Sequence, residues 1–474
     1  MRSTKLSSAL NIAIAVLILV VVASLPRLVH ASGGFAFVTT TDYSTGSCST
    51  IELDGTYQVT KNVAPIHSDA VARYYGGYIY VVNRTGADNI QILDPDNNFS
   101  TVRQFSTGNG SNPQDVAFAS ATKMYVTRYE TNTMWIMNPQ TGIQTGSVDF
   151  SSFADADGRC EMHQMCRYGD YVFVTIQRLD RDIWAPVGDS YVAVIDVNTD
   201  TFVDTDPITP GVQAITLSNA NPFSEIQLDP WTGQLYVGCA GYWGLLDAGV
   251  ETIDPVLLVT SGTMFGETAA QGDILDVEII DDHMGYCLIQ NASFNTDLIS
   301  FDPSTGTKIQ TVYAPGAWVL QDIDRAPTGE LFLADRTAVK PGIRVYDSGT
   351  GAQITTNPLD VGLPPFDITF SVEVQTGVGD TPTIASLGQN YPNPFNPSTT
   401  IPYSVDRETR VTLEVFNIAG ARVATLVDEA KPAGHYEIRW NGRDDTSRPV
   451  ASGVYFVRLS TPGHASTSKL VLLK

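Results

Sequence analysis

Cysteine and histidine are scarce in this chain, with five and six residues respectively among 474. Five scattered cysteines do not make a disulfide-stapled fold, and an odd count leaves at least one thiol without an intramolecular partner. Cys160 and Cys166 are near enough in sequence to pair if the chain is exported. The stretch Glu161-Met162-His163-Gln164-Met165 between them lacks a second cluster and the spacing of a zinc site. No Cys-x-x-Cys-His run marks haem attachment. Basic residues are also few, 28 against 51 acidic ones, for a formal net charge of −23. A surface so acidic repels phosphate backbones and anionic lipid, which argues against nucleic-acid partners. No Gly-x-Ser-x-Gly elbow, Gly-Lys-Ser/Thr phosphate loop or His-Glu-x-x-His helix is present.

Long apolar runs are missing too, save one. Ile12 to Ala23 follows Arg2 and Lys5 and precedes the small-residue site Val29-His30-Ala31. This is the pattern of a signal peptide over residues 1–31, with the mature chain starting near Ser32. The run is short for a spanning helix, so no integral membrane segment is expected after its removal.

What the chain does have is repetition. Between Gly34 and Val374 a strand ending in a polar turn is followed by a second strand ending in Asp or Asn, often with Thr-Gly after it. Tyr78–Asn83 with Asn89–Pro95, and Met124–Arg128 with Thr133–Gly142, are clear copies. The terminal Asp or Asn falls at 54, 94, 138, 196, 254, 302 and 347, a spacing of 40 to 58 residues. That is close to the roughly 40–50 residue period of propeller blades. Short apolar strands with a polar start recur out of step with these units, at Asp69, Asp115, Gln164, Glu225, Asp276, Asp322 and Asp367. They read as the innermost strands of seven blades. The first unit, Phe35 to Lys61, has no inner strand ahead of it, and the last inner strand, Asp367 to Val372, has no outer strands behind it. Pairing the two closes a ring, which buries both faces of every blade and leaves only short edges. Tyr125-Val126-Thr127-Arg128 and Tyr80-Val81-Val82-Asn83 resemble the YVTN-repeat propellers. That resemblance implies the fold and leaves function open among surface-layer proteins, binding modules and lactonase-like enzymes.

A second unit follows. Residues 375–385 suit a linker, with Gly377, Gly379 and Pro382. After it come Asn390, Tyr391, Pro392, Asn393, Pro394, Phe395, Asn396 and Pro397, whose prolines remove three backbone donors and demand an extended entry at a sheet edge. Strands are expected at Thr400–Val405, Arg410–Asn417, Ala421–Leu426, His435–Trp440, Val454–Ser460 and Lys469–Leu473, with Asn441-Gly442 as a hairpin turn. They make an immunoglobulin-like β-sandwich over 386–474, so the whole chain is all-β. The proline-asparagine lead-in together with the C-terminal Lys469-Leu470-Val471-Leu472-Leu473-Lys474 resembles the C-terminal sorting domain of the type IX secretion system. That resemblance implies the secretion machinery as a partner, export through the periplasm to the cell surface or beyond, and removal of this domain. Flagellar-hook and fibronectin-like proteins carry similar sandwiches without that role.

The polar starts Asp69, Asp115, Gln164, Glu225, Asp276, Asp322 and Asp367 are expected to ring the channel mouth. Six carboxylates so close must be neutralised or hydrogen-bonded. A hard cation such as Ca2+ would do the first, and backbone N–H groups of neighbouring blades the second. Gln177 to Ser190 and Ala240 to Gly249 are longer than their counterparts and carry Arg178, Arg181, Trp184, Tyr242 and Trp243, the residue types that anchor sugars or proteins on exposed loops. With three of the six histidines outside the repeats, His67, His163 and His283 remain, and His67 and His163 lie near inner-strand starts. The leading expectation is a non-catalytic binding propeller for a surface polysaccharide or protein. The alternatives are a lactonase- or lyase-like enzyme using His163 and channel carboxylates, and a structural surface-layer component.

Overall fold

The computed structural model describes residues 34–371 except 207, 230 and 231, and residues 385–473 except 388, 389, 391, 392, 406–408, 419, 433, 447, 462 and 463. The expected signal peptide and residues 375–384 of the expected linker lie outside the described residues.

Seven antiparallel sheets stand around a common axis as a seven-bladed β-propeller. Their inner strands are Ala70–Tyr75, Pro113–Ser120, Met162–Tyr168, Pro222–Leu228, Gly272–Asp281, Leu320–Arg325 and Pro365–Phe370, each packed on the next and the last on the first. Blade 1 is assembled from both ends of the repeat region. Phe35–Thr41 pairs with Gly46–Glu52 on one side and with Pro365–Phe370 on the other, Val38 lying opposite Ile368. Phe35 N–H donates to Ser371 Oγ (2.7 Å), extending the closure beyond the ladder. Blade 7 is the irregular one. It has three strands, and its outer edge is covered only by single bridges from Leu359 and Gln353.

Alternation within each strand builds the core. In Tyr171–Ile176, Val172, Val174 and Ile176 pack toward blade 3, against Tyr125, Met134 and Ile136, while Phe173 packs toward blade 5, against Ile226 and Val237. A period-2 strand with both faces apolar is stable only between two neighbours, which is why blades stack.

The seven repeated Asp or Asn residues have one job. Each accepts a hydrogen bond at its side-chain Oδ1 from a backbone N–H just ahead, two residues on in six blades (Thr56 to Asp54, Asp96 to Asp94, Gln140 to Asn138, Asn198 to Asp196, Val256 to Asp254 and Ser304 to Asp302) and three residues on in blade 7 (Thr350 to Asp347). This is an Asx turn, and it follows the third strand of every blade. Four residues after the Asp or Asn the backbone turns left-handed, at Gly142, Gly306 and Gly351 and also at Asn98, Asp200 and Leu258, which explains the Thr-Gly signature where it occurs.

The C-terminal unit is a sandwich of two sheets, Ala385–Leu387, Thr399–Val405 and Gly434–Trp440 against Arg422–Lys431, Thr409–Asn417, Gly453–Thr461 and His464–Leu472. Phe395, Ile401, Leu413, Trp440, Leu459 and Leu472 fill the space between them. All six expected strands form and each runs longer than the pattern showed, most of all the third, at Arg422–Lys431, and the last, at His464–Leu472. The proline-rich lead-in does lie at a sheet edge. Asn393 donates from Nδ2 to Lys469 O (2.9 Å) and accepts at Oδ1 from Val471 N–H (2.9 Å). Phe395 N–H then donates to Val471 O, and Leu473 N–H to Phe395 O. Tyr391 and Pro392 lie outside the described residues.

Candidate functional site

The expected acidic ring lies inside the channel wall, where Asp115, Gln164, Asp276 and Asp367 are buried. Four of its carboxylates tie one blade to the next. Asp115 accepts from Met165 N–H (2.8 Å), Asp276 from Ile323 N–H (3.0 Å), Asp322 from Ile368 N–H (2.7 Å) and Asp367 from Ala72 N–H (2.9 Å). This register corrects one expectation. The residue preceding Ala72 is Val71, so blade 2 places an apolar side chain at the ring level. Asp69 stands two residues earlier and pairs with Arg84 (2.5 Å).

The cation of the ring is a side chain. Arg73, from blade 2, reaches Asp115 (2.9 Å) in blade 3, Gln164 (3.1 Å) in blade 4, Glu225 (2.7 Å) in blade 5 and Asp367 (3.9 Å) in blade 1. One guanidinium thus spans the axis and satisfies half the ring. Among the described residues, no group of three or more His, Cys, Asp or Glu is arranged to hold a metal ion. The far side of the channel holds Asp276 and Asp322 with Glu278 and Asp324 beside them. Burial pushes Asp276 up to about 7 and Glu278 up to about 8, and raises Asp322 and Asp324 well above the usual carboxylate range. Asp115 rises less, to about 6, because Arg73 offsets its burial. Cys160 and Cys166 do not pair. Both are buried free thiols, as are Cys48, Cys239 and Cys287.

The two ends of the propeller differ. One carries the seven Asx turns. The other carries the loops between second and third strands, where the long ones emerge. Residues 177–190 of blade 4 form a small hairpin, Leu179–Asp180 against Ala185–Pro186, with Ile183 and Trp184 exposed at its tip. Trp184 has φ = 54°, a strained value for a bulky residue. Arg181 holds the hairpin up. Its guanidinium pairs with buried Glu161 (2.9 Å) and with Glu130 (3.2 Å), and lies over the rings of Tyr129 (4.8 Å) and Trp184 (5.2 Å). Arg178 donates to Asp189 O (2.9 Å) and lies over Tyr191. The blade 5 loop joins the hairpin through Tyr242, whose hydroxyl donates to Pro186 O (3.1 Å). Beside it Trp243 stands edge-on to Phe223 (5.2 Å between centroids).

Phe223 extends this surface inward. Its ring lies 6.3 Å from His163, which lies 6.1 Å from Tyr129, so a row of rings from blades 3, 4 and 5 borders the channel opening. Sequence reasoning missed Tyr129, Phe223 and Arg73, and only the placement of Phe223 beside an inner-strand start was a usable signal. Burial, with Arg84 and Arg73 nearby, holds His163 down to about 3. His67 bonds locally to Asp69, and His283 is exposed beside Ser304. The excess length of blades 4 and 5 is not confined to these loops. The outer-to-inner connections contribute as well, through a short 3-10 turn at Ser151–Phe153 and an added strand at Ile215–Thr216.

Comparison with known proteins bears on the fold. The FlgD Ig-like domain family matches residues 398–463. No curated protein matches the chain in sequence. A crystal structure of a protein from Lactobacillus plantarum is similar at a TM-score of 0.52 and 13% identity, over 71% of this chain and 99% of that one. A provisionally assigned 6-phosphogluconolactonase from Bacteroides uniformis gives 0.49 and 16%, over 71% and 99%. PorZ, a bacterial surface component of the type IX secretion system of Porphyromonas gingivalis, gives 0.41 and 11%, over 91% of this chain and 64% of PorZ.

Proposed function

We propose that this chain is an exported propeller that binds a surface polysaccharide or protein on the face bearing its long loops. In this reading residues 1–31 are a signal peptide, 32–374 the propeller, 375–385 a linker and 386–474 a type IX secretion sorting domain. The observation that carries it is the asymmetry of the two faces. One carries seven tight turns, each held by an Asp or Asn side chain at a strand end, and the other exposes Trp184, Phe223, Tyr242 and Trp243 on adjoining elements. Aromatic side chains held rigidly in a shared patch bind with little loss of conformational freedom.

The histidine at the channel opening is a poor general base. A general base serves best with a pKa near the working pH. His163, the histidine nearest the channel opening, is held far below that. The ring carboxylates are occupied by Arg73 and by backbone N–H groups of adjacent blades, so they act as girders between blades. For export, support comes from the union of the two most distinctive segments. The Asn393–Phe395 lead-in and the C-terminal strand bond directly, so a receptor reading one meets both.

Two experiments test this. Arrayed bacterial surface glycans should retain the full chain and lose the Trp243→Ala variant; equal retention of both would remove the loop face as the site. In a host with type IX secretion, deleting residues 469–474 should hold the protein in the periplasm, and normal surface appearance would refute the sorting role. No helix among the described residues is long and apolar enough to cross a membrane.

A further inference from the structure

The two long loops carry more than sugar-stacking rings. Ile183, Val187, Leu245 and Leu246 are exposed with Trp184, Tyr242 and Trp243 on two loops joined by the Tyr242–Pro186 bond, and Phe223 stands beside Trp243, so eight large apolar residues are exposed on adjoining elements of blades 4 and 5. A concentration of exposed apolar side chains of this kind marks a docking site. Its border is anionic. Asp180, Asp182, Asp189 and Asp247 are all exposed on the same loops. The two arginines there are engaged, Arg181 by Glu130 and Glu161 and Arg178 by the Asp189 carbonyl and Tyr191. The patch is also held in shape. Arg181, fixed on the fully buried Glu161 carboxylate, lies over the Trp184 ring, and Tyr242 bridges the loops.

We infer that the occupant is a protein segment presenting aliphatic or aromatic side chains flanked by lysine or arginine. This rests on the loop face being the binding face. Aliphatic anchors are wasted on a neutral glycan, whose recognition calls for stacking rings and hydrogen bonds. An anionic membrane is repelled by the four aspartates, and so is a second copy of this chain, whose matching patch carries the same charge. A cationic apolar segment satisfies both the centre and the rim.

The test uses the full chain and two synthetic peptides of equal charge, one alternating leucine with lysine and one replacing leucine by serine. Binding is followed by tryptophan emission and by calorimetry. The leucine peptide should bind and shift the emission to the blue, and Trp184→Gly should weaken it about tenfold or more, as expected for one aromatic anchor. Glycine suits the positive φ at that position, so an unchanged melting temperature separates lost binding from lost folding. Asp180→Asn with Asp182→Asn should reduce the salt dependence. Equal binding of the serine peptide, or an unchanged affinity in Trp184→Gly, would overturn the inference. Retention on glycans that disappears in Trp243→Ala, without peptide binding, would sink this inference and leave the binding face standing. Failure of both probes would sink the two together.

Discussion

The two faces of the propeller are built on opposite rules. On the turn face the chain repeats one kind of solution seven times, because a carboxylate or amide two or three residues before a backbone N–H is the simplest way to turn the chain at a strand end. On the loop face the connections between second and third strands run from four residues in blades 1, 3 and 6 to fourteen in blade 4, and the two longest lean on each other through Tyr242 and Pro186. Regularity there has given way to a rigid hairpin with a strained tryptophan at its tip. Strain and exposed apolar surface both lower stability, and they persist where something other than folding keeps them. The turn face therefore reads as architecture and the loop face as the working surface.

That contrast can be broken at the channel, which holds both faces together. Arg73→Met leaves Asp115, Glu225 and Asp367 without their cation, and removing one partner of a buried pair costs about 3–5 kcal/mol. Thermal unfolding should show a large loss at pH 8 and a smaller one at pH 5, where Asp115 and Asp367 are more nearly protonated. A small, pH-independent loss would mean the ring is held by its backbone bonds alone.

The turn face should respond to single changes in stability and not in binding. Asn138→Ala removes the side-chain oxygen that accepts from Gln140 N–H and should cost about 1 kcal/mol in denaturant melts. Reduced ligand retention in that variant would contradict the division of labour.

The side of the channel that Arg73 does not reach gives a change of opposite sign. Asp276, Glu278, Asp322 and Asp324 have raised pKa values, so the folded state holds their protons more tightly than the unfolded chain. Their contribution is full below about pH 4 and is lost as pH rises toward 8. Glu278→Gln with Asp324→Asn should raise the melting temperature at pH 8, by roughly 2–4 °C for each kcal/mol recovered, and leave it nearly unchanged at pH 4. A fall at pH 8 would show that these carboxylates are neutralised by something other than protons. The smallest stability effect is expected on the loop face, where Trp184→Gly should stay within about 0.5 kcal/mol of the parent.

The same contrast explains what could be read from the amino acids alone. Turn chemistry restricts residue type, so Asp54, Asn138 and Asp302 announced the blade count, and the unmatched first and last units announced the closure of Phe35–Thr41 with Pro365–Phe370. Most of the ring was visible because a polar residue before an apolar strand is conspicuous. Asp69 misled because blade 2 has a polar residue two positions early and Val71 at the ring level. Arg73 looked like any alternating strand residue, since nothing local tells that a side chain will cross an axis to meet blades 3, 4 and 5. The row from Tyr129 through His163 to Phe223 and Trp243 was hidden for the same reason: its members come from three blades and meet only after closure.

The most direct test places three proteins on one array of surface glycans and lysine-rich peptides: the parent chain, Trp184→Gly and Asn138→Ala. A working loop face predicts that the parent and Asn138→Ala retain the same probes while Trp184→Gly loses them. Loss in Asn138→Ala with full retention in Trp184→Gly would place the binding surface on the opposite end of the propeller.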